Sequence, residues 1–158
     1  MIPANETFKG TWPFEPHFTN TAGFRQHYVD EGPSEAEVIL CLHGEPTWGY
    51  LYRKMIGPLS ENFRVVVPDH MGFGKSETPQ DRVYTLQTHV ENLERFVADL
   101  NLSAITIVCQ DWGGPIAGAF TARNPHLVKR LFLMNTVLGY GGGQSAHGKT
   151  PWFQWIEQ

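Results

Sequence analysis

The sequence predicts an α/β fold: a mostly parallel sheet with helices on both faces. Short apolar runs predict the sheet, at residues 38–42, 64–68, 104–109 and 131–134. Each is too short for a typical helix and lacks polar alternation, the pattern of a parallel strand buried on both faces. Segments of helical periodicity separate the runs, and strands alternating with helices define the class. Glycine-punctuated loops follow the first three runs, at the carboxyl ends of strands where such folds hold their ligands.

The elements follow in order. Residues 1–23 carry Pro3, Pro13 and Pro16 and read as an extended arm with one short edge strand, pinned by Phe8, Trp12, Phe14 and Phe18. Residues 24–29 form a strand, and Asp30-Glu31-Gly32-Pro33-Ser34 is turn chemistry. After the run at 38–42, residues 50–59 place Tyr50, Leu51, Met55, Ile56 and Leu59 at roughly helical spacing. Residues 86–100 give the strongest helix. Val90, Leu93, Phe96, Val97 and Leu100 share one face, while Glu91, Glu94, Arg95 and Asp99 point elsewhere. Thr85 or Thr88 supplies its cap. Residues 115–122 are a small-residue helix able to pack closely, ended by Asn124-Pro125. Beyond Asn135 the chain turns glycine-rich, with an apolar tail at Trp152, Phe153, Trp155 and Ile156. No internal repeat is present.

Composition bounds the function. A length of 158 residues suits one domain, and a net charge of −4 gives no reason to expect nucleic acid or an acidic membrane as partner. Cys41 and Cys109 both lie in apolar runs, as buried thiols do, so the chain reads as free of disulfides. With no apolar run near the ~20 residues of a membrane span and no signal-peptide pattern, a cytoplasmic location is expected.

The chemistry concentrates at Cys109-Gln110-Asp111-Trp112-Gly113-Gly114. A strand stops at an acidic residue flanked by small ones, and a helix follows, which is the form of a tight turn presenting one nucleophile. Asp111 as a simple helix cap is the bland alternative. His43 and His70 read as loop-ordering residues, Asp69 as a brace for turns, Trp48 as packing, and Glu45 as a pocket residue. His17, His27 and His89 carry no positional signal. The glycines after the first two runs follow no nucleotide-binding fingerprint.

On His43-Gly44-Glu45-Pro46-Thr47-Trp48, Pro68-Asp69-His70-Met71-Gly72-Phe73-Gly74-Lys75-Ser76 and Gln110-Asp111-Trp112-Gly113-Gly114, the chain resembles the α/β-hydrolase superfamily, and more narrowly the haloalkane dehalogenases. The resemblance covers roughly residues 24–136. It implies the α/β-hydrolase fold and a reaction in which Asp111 displaces halide from carbon. A carboxylate is ionised at neutral pH, so that step needs no base. Water activated by a His–acid pair would then hydrolyse the alkyl ester.

The resemblance further implies an oxyanion hole from the backbone N–H groups of Glu45 and Trp112, with the Trp112 indole donating to halide. A second halide donor would be Trp155, or else Trp152, because an ionised Glu45 side chain cannot donate. The implied partners are a small halogenated hydrocarbon, halide and water; neither metal nor organic cofactor is implied.

In this fold the acid and then the His follow the nucleophile in sequence. Only His126 and His147 follow Asp111, and neither occupies the base position. The expectation is therefore an incomplete fold: residues 1–136 as the N-terminal part of the core, residues 137–158 as the start of a lid, with C-terminal strands and most of the lid absent. Epoxide hydrolases and β-lactone-processing relatives are rivals, disfavoured by Gln110 and Glu45. A catalytically incomplete chain that self-associates through an exposed sheet edge is the reading of a different class.

Overall fold

In the computed structural model, which describes residues 2–138, the elements run β1 (His17–Thr19), β2 (Gln26–Glu31), β3 (Val38–Leu42), a 3₁₀ turn (Gly49–Tyr52), α1 (Arg53–Ser60), β4 (Arg64–Pro68), α2 (Leu86–Asp99), β5 (Ile105–Gln110), α3 (Gly113–Arg123) and β6 (Val128–Met134). The strands form one sheet in the order β1-β2-β4-β3-β5-β6. β4, β3, β5 and β6 are parallel; β1 and β2 join antiparallel at one side. Every residue of β3 is buried, as its continuous apolar run requires.

Successive strand residues face opposite layers. Leu40, Leu42, Ile105, Ile107 and Cys109 meet α2 and α3, through Leu93, Phe96, Ile116 and Phe120. Ile39, Cys41, Val65, Val67 and Val108 face the other way, onto Tyr52 and Ile56 of the first helical segment and Trp12 of the arm. Burying each large apolar side chain contributes about 1.5–3 kcal/mol. Helices therefore cover both faces.

Several boundaries move. The strand expected at 24–29 lies at Gln26–Glu31, because its pairing with β4 continues to Glu31 opposite Val65. The helix expected at 50–59 opens as a 3₁₀ turn, and Thr85 rather than Thr88 caps α2, its side chain accepting from the Thr88 N–H. β6 begins at Val128, three residues before the apolar run. Lys129 and Arg130 are exposed and polar, which hides this start in the sequence, yet Val128 and Arg130 pair with Ile105 and Thr106 of β5.

The arm is pinned as expected. Trp12 is buried, with its ring 4.9 Å from Phe14 and 5.0 Å from Trp48. A bond with no sequence signal adds to this: Lys75 Nζ donates to the carbonyls of Ala4 and Glu6 at 2.7 and 2.9 Å.

Among the described residues β6 is an edge strand, with Phe132 56% and Leu133 47% exposed. An apolar trough of about 500 Å³ between β6 and α1 is lined by Ile39, Met55, Leu59, Phe63, Val108 and Phe132. No helix of the described residues is long and apolar enough to cross a membrane.

Candidate active site

In the sheet the chain runs on from β3 to β4 on one side and from β5 to β6 on the other, so the carboxyl ends of β3 and β5 bound a crevice. Asp111 follows β5 directly, at φ +51°. That left-handed conformation costs an L-residue roughly 1–2 kcal/mol, though Asp adopts it more readily than most. Three bonds hold it. The Glu45 N–H donates to Asp111 Oδ1 at 2.8 Å, the Gly114 N–H donates to the Asp111 carbonyl at 3.0 Å, and the Thr136 hydroxyl donates to that same carbonyl.

The approach of the two loops leaves no room for a side chain at Gly44, where a Cβ would lie 2.5 Å from Trp112 N and overlap the Asp111 carboxylate. Trp112 is 39% exposed and begins the turn into α3. The Glu45–Pro46 peptide is cis. Asp111, Glu45 and Trp112 thus come together, as their loops predict. Trp152, Trp155 and His147, together with nearly all of the segment 137–158 expected to begin a lid, lie outside the described residues.

Beneath the loops sits a buried histidine pair. The His43 Nδ1–H donates to the Gly44 carbonyl at 3.0 Å, and its Nε2 accepts from the His70 N–H at 2.9 Å. His70 Nε2–H in turn reaches the His43 carbonyl at 3.0 Å. Burial pushes the pKa of His43 down against the opposing pull of Asp69, and that of His70 down further with help from His43 and His89. Both nitrogens of His43 are engaged in backbone bonds, so it orders the loop and is not a base. His126 is exposed in the connection between α3 and β6, at the end of the sheet away from Asp111.

Asp69 braces turns, as expected, but through partners the sequence did not reveal. Its Oδ1 accepts from the Gly49 N–H, and its Oδ2 from the Lys75 N–H and His27 Nδ1, each at 2.8 Å, with both side chains of the His27–Asp69 pair fully buried. His27 therefore has a structural place despite its lack of sequence signal.

Beside the turn at Asp111 opens a largely apolar cavity of about 280 Å³, lined by Glu45, Phe73, Tyr84, His89, Trp112 and Ile116. The sequence reading anticipated only Glu45 and Trp112 there. Phe73 and Tyr84 sit in irregular loops that periodicity does not reach. Among the described residues no group of His, Cys, Asp and Glu is arranged to hold a metal.

The model of the alpha/beta hydrolase fold family matches residues 37–158. The chain belongs to the α/β-hydrolase family. Within it, the chain is 41% identical over 152 residues to a haloalkane dehalogenase of Psychrobacter cryohalolentis, covering 92% of this chain and 50% of that protein. It is 42% identical over 122 residues to a cis-3-alkyl-4-alkyloxetan-2-one decarboxylase of Xanthomonas campestris, covering 72% and 41%. Among solved α/β-hydrolases, the tetrameric haloalkane dehalogenase of Paraglaciecola agarilytica superposes with a TM-score of 0.83 at 38% identity, covering 93% of this chain and 50% of that one. The chain spans about half the length of these relatives.

Proposed function

We propose that Asp111 is the nucleophile of a haloalkane dehalogenase-type hydrolysis. The observation that carries this reading is the Asp111 carboxylate, held by the N–H of Glu45, a residue that with Trp112 lines a largely apolar cavity. Oδ1 is held, so Oδ2 attacks the halogen-bearing carbon. The new C–O bond forms as the carbon–halogen bond breaks, and halide leaves with the bonding pair. The Trp112 indole N–H, with Trp155 (or Trp152), would receive that halide. Water adds to the resulting ester, the oxyanion meets the N–H groups of Glu45 and Trp112, and alcohol departs as the carboxylate reforms.

That second step needs a base. His43 and His70 are committed to backbone bonds, so this chain by itself is proposed to stop at the alkyl ester. The substrate class is a small halogenated hydrocarbon, and the site works without a cofactor.

Incubation with 1-bromobutane, read by halide release and intact mass, tests this. One bromide per chain with a butyl adduct on Asp111 supports the half-reaction, and sustained release indicates a complete enzyme. Asp111→Asn should abolish either outcome. No adduct and no bromide would overturn the reading. The Xanthomonas relative makes a cis-β-lactone the comparison substrate, and loss of CO₂ from it would favour that second reading. An epoxide opened to its diol would favour an epoxide hydrolase instead.

A further inference from the structure

Thr136 stands just past β6, and the sequence gives it no role. Its hydroxyl donates to the carbonyl of Asp111. The Gly114 N–H donates to the same oxygen at 3.0 Å, so that oxygen has both an intra-turn donor and one from the segment after β6. The segment carrying Thr136 is seated closely on α3. A Cβ at Gly114 would lie 2.8 Å from Thr136 Cγ2 and overlap its hydroxyl, and a Cβ at Gly118 would overlap the Leu138 carbonyl. The small residues of α3 thus form a notch for residues 136–138.

The peptide unit from Asp111 to Trp112 is planar, with its C=O and N–H pointing in opposite directions. Fixing the carbonyl therefore fixes the direction of the Trp112 N–H. That nitrogen lies on the Gly44 side of the elbow, where a Cβ at Gly44 would come within 2.5 Å of it and also overlap the Asp111 carboxylate. We infer that Thr136 is a positioning residue for the oxyanion donor. By clamping the Asp111 carbonyl from behind, its hydroxyl aims the Trp112 N–H at the site where charge develops. The inference rests on the proposed role of Asp111 for its catalytic meaning, but not for its geometry. An elbow in a left-handed conformation has reason to need such a clamp, because relaxation of φ would turn the same peptide away.

Thr136→Val keeps the shape and removes the hydroxyl, whereas Thr136→Ser keeps the hydroxyl and removes the methyl. Two readouts separate the clamp from the chemistry. Amide hydrogen exchange followed by NMR should show Trp112 and Gly114 exchanging at least about tenfold faster in Thr136→Val, with the amides of β3 and β4 unchanged and Thr136→Ser returning toward the parent. Butylation of Asp111 by 1-bromobutane should slow about tenfold in Thr136→Val and recover in Thr136→Ser, because a loosened turn also misplaces the attacking carboxylate.

Unchanged exchange at Trp112 and Gly114 in Thr136→Val overturns the inference. So does a rate loss that Thr136→Ser fails to restore. If the parent chain is not butylated, the proposed chemistry fails while the exchange comparison still decides the clamp. If Thr136→Val does not fold, Thr136→Ala makes the same comparison without the branched side chain.

Discussion

The Glu45 N–H and Asp111 Oδ1 meet at 2.8 Å across 66 positions of sequence. That bond joins the loop after β3 to the elbow after β5, two strands that are neighbours in the sheet with Leu42 opposite Cys109. The sheet register therefore sets the distance between donor and carboxylate. Preorganised donors of this kind stabilise charge without having to reorient during reaction.

Gly44→Ala tests how closely that geometry is set. A methyl group there would overlap the Asp111 carboxylate and press on Trp112 N at 2.5 Å. Overpacking of this sort costs about 1–3 kcal/mol, so the chain should still fold. Asp111 butylation should fall about 100-fold, because the overlap moves the carboxylate off its line of attack. Retained butylation with a wild-type urea midpoint would show that the loops can separate freely.

Asp69→Asn should be far more costly to stability than to local shape. The carboxylate accepts three buried bonds, from Gly49, Lys75 and His27, and an amide in its place loses an acceptor position and the charge. Bonds to charged groups contribute about 1.5–3 kcal/mol each, so urea unfolding should register a loss of about 3 kcal/mol or more. A loss below about 1 kcal/mol would mean that these bonds reform with water.

The parallel strands and the tight turn after β5 were legible because their signals are local. Val38 to Leu42 and Ile105 to Cys109 are β-branched or apolar throughout, and the glycines at 113 and 114 mark a tight turn. The His27–Asp69 pair and the Thr136 clamp were not legible. Each depends on residues brought together by the sheet from 42 and 25 positions apart. Lys75 is a sharper case. Lysine is seldom fully buried, yet its ammonium is satisfied by two carbonyls of an arm about 70 residues away, a pairing that no local pattern encodes. Hydrogen bonds that link loops are set by tertiary placement, which periodicity does not report.

The β6 edge should make the 17.9 kDa chain associate with itself. Phe132 and Leu133 expose apolar surface on opposite faces of a strand whose outer edge is unpaired among the described residues. Exposed edges of this kind recruit further strands, and a lysine blunts them. Sedimentation of the chain should show dimers or larger species, with Leu133→Lys shifting the distribution toward monomer. A monodisperse monomer for the parent chain would remove this surface as a contact.

Stability should also fall on mild acidification. The pKa values of His43, His70 and His89 are all lowered in the folded chain, first by burial and then, for His70 and His89, by neighbouring histidines. The unfolded chain therefore takes up protons first as pH falls through the ordinary histidine value of about 6.5. Above that value the contribution of these groups is fully present. It is lost as pH drops toward their folded values, because the unfolded state then binds more protons. Protonation of His43 Nε2 would also break its bond from the His70 N–H and loosen the loop carrying Glu45. Urea midpoints measured between about pH 7.5 and 5 should decline, most steeply below about pH 6.5, with a slope of at least one proton taken up on unfolding. A flat profile across that window would show that the buried histidines are already accommodated in their charged form.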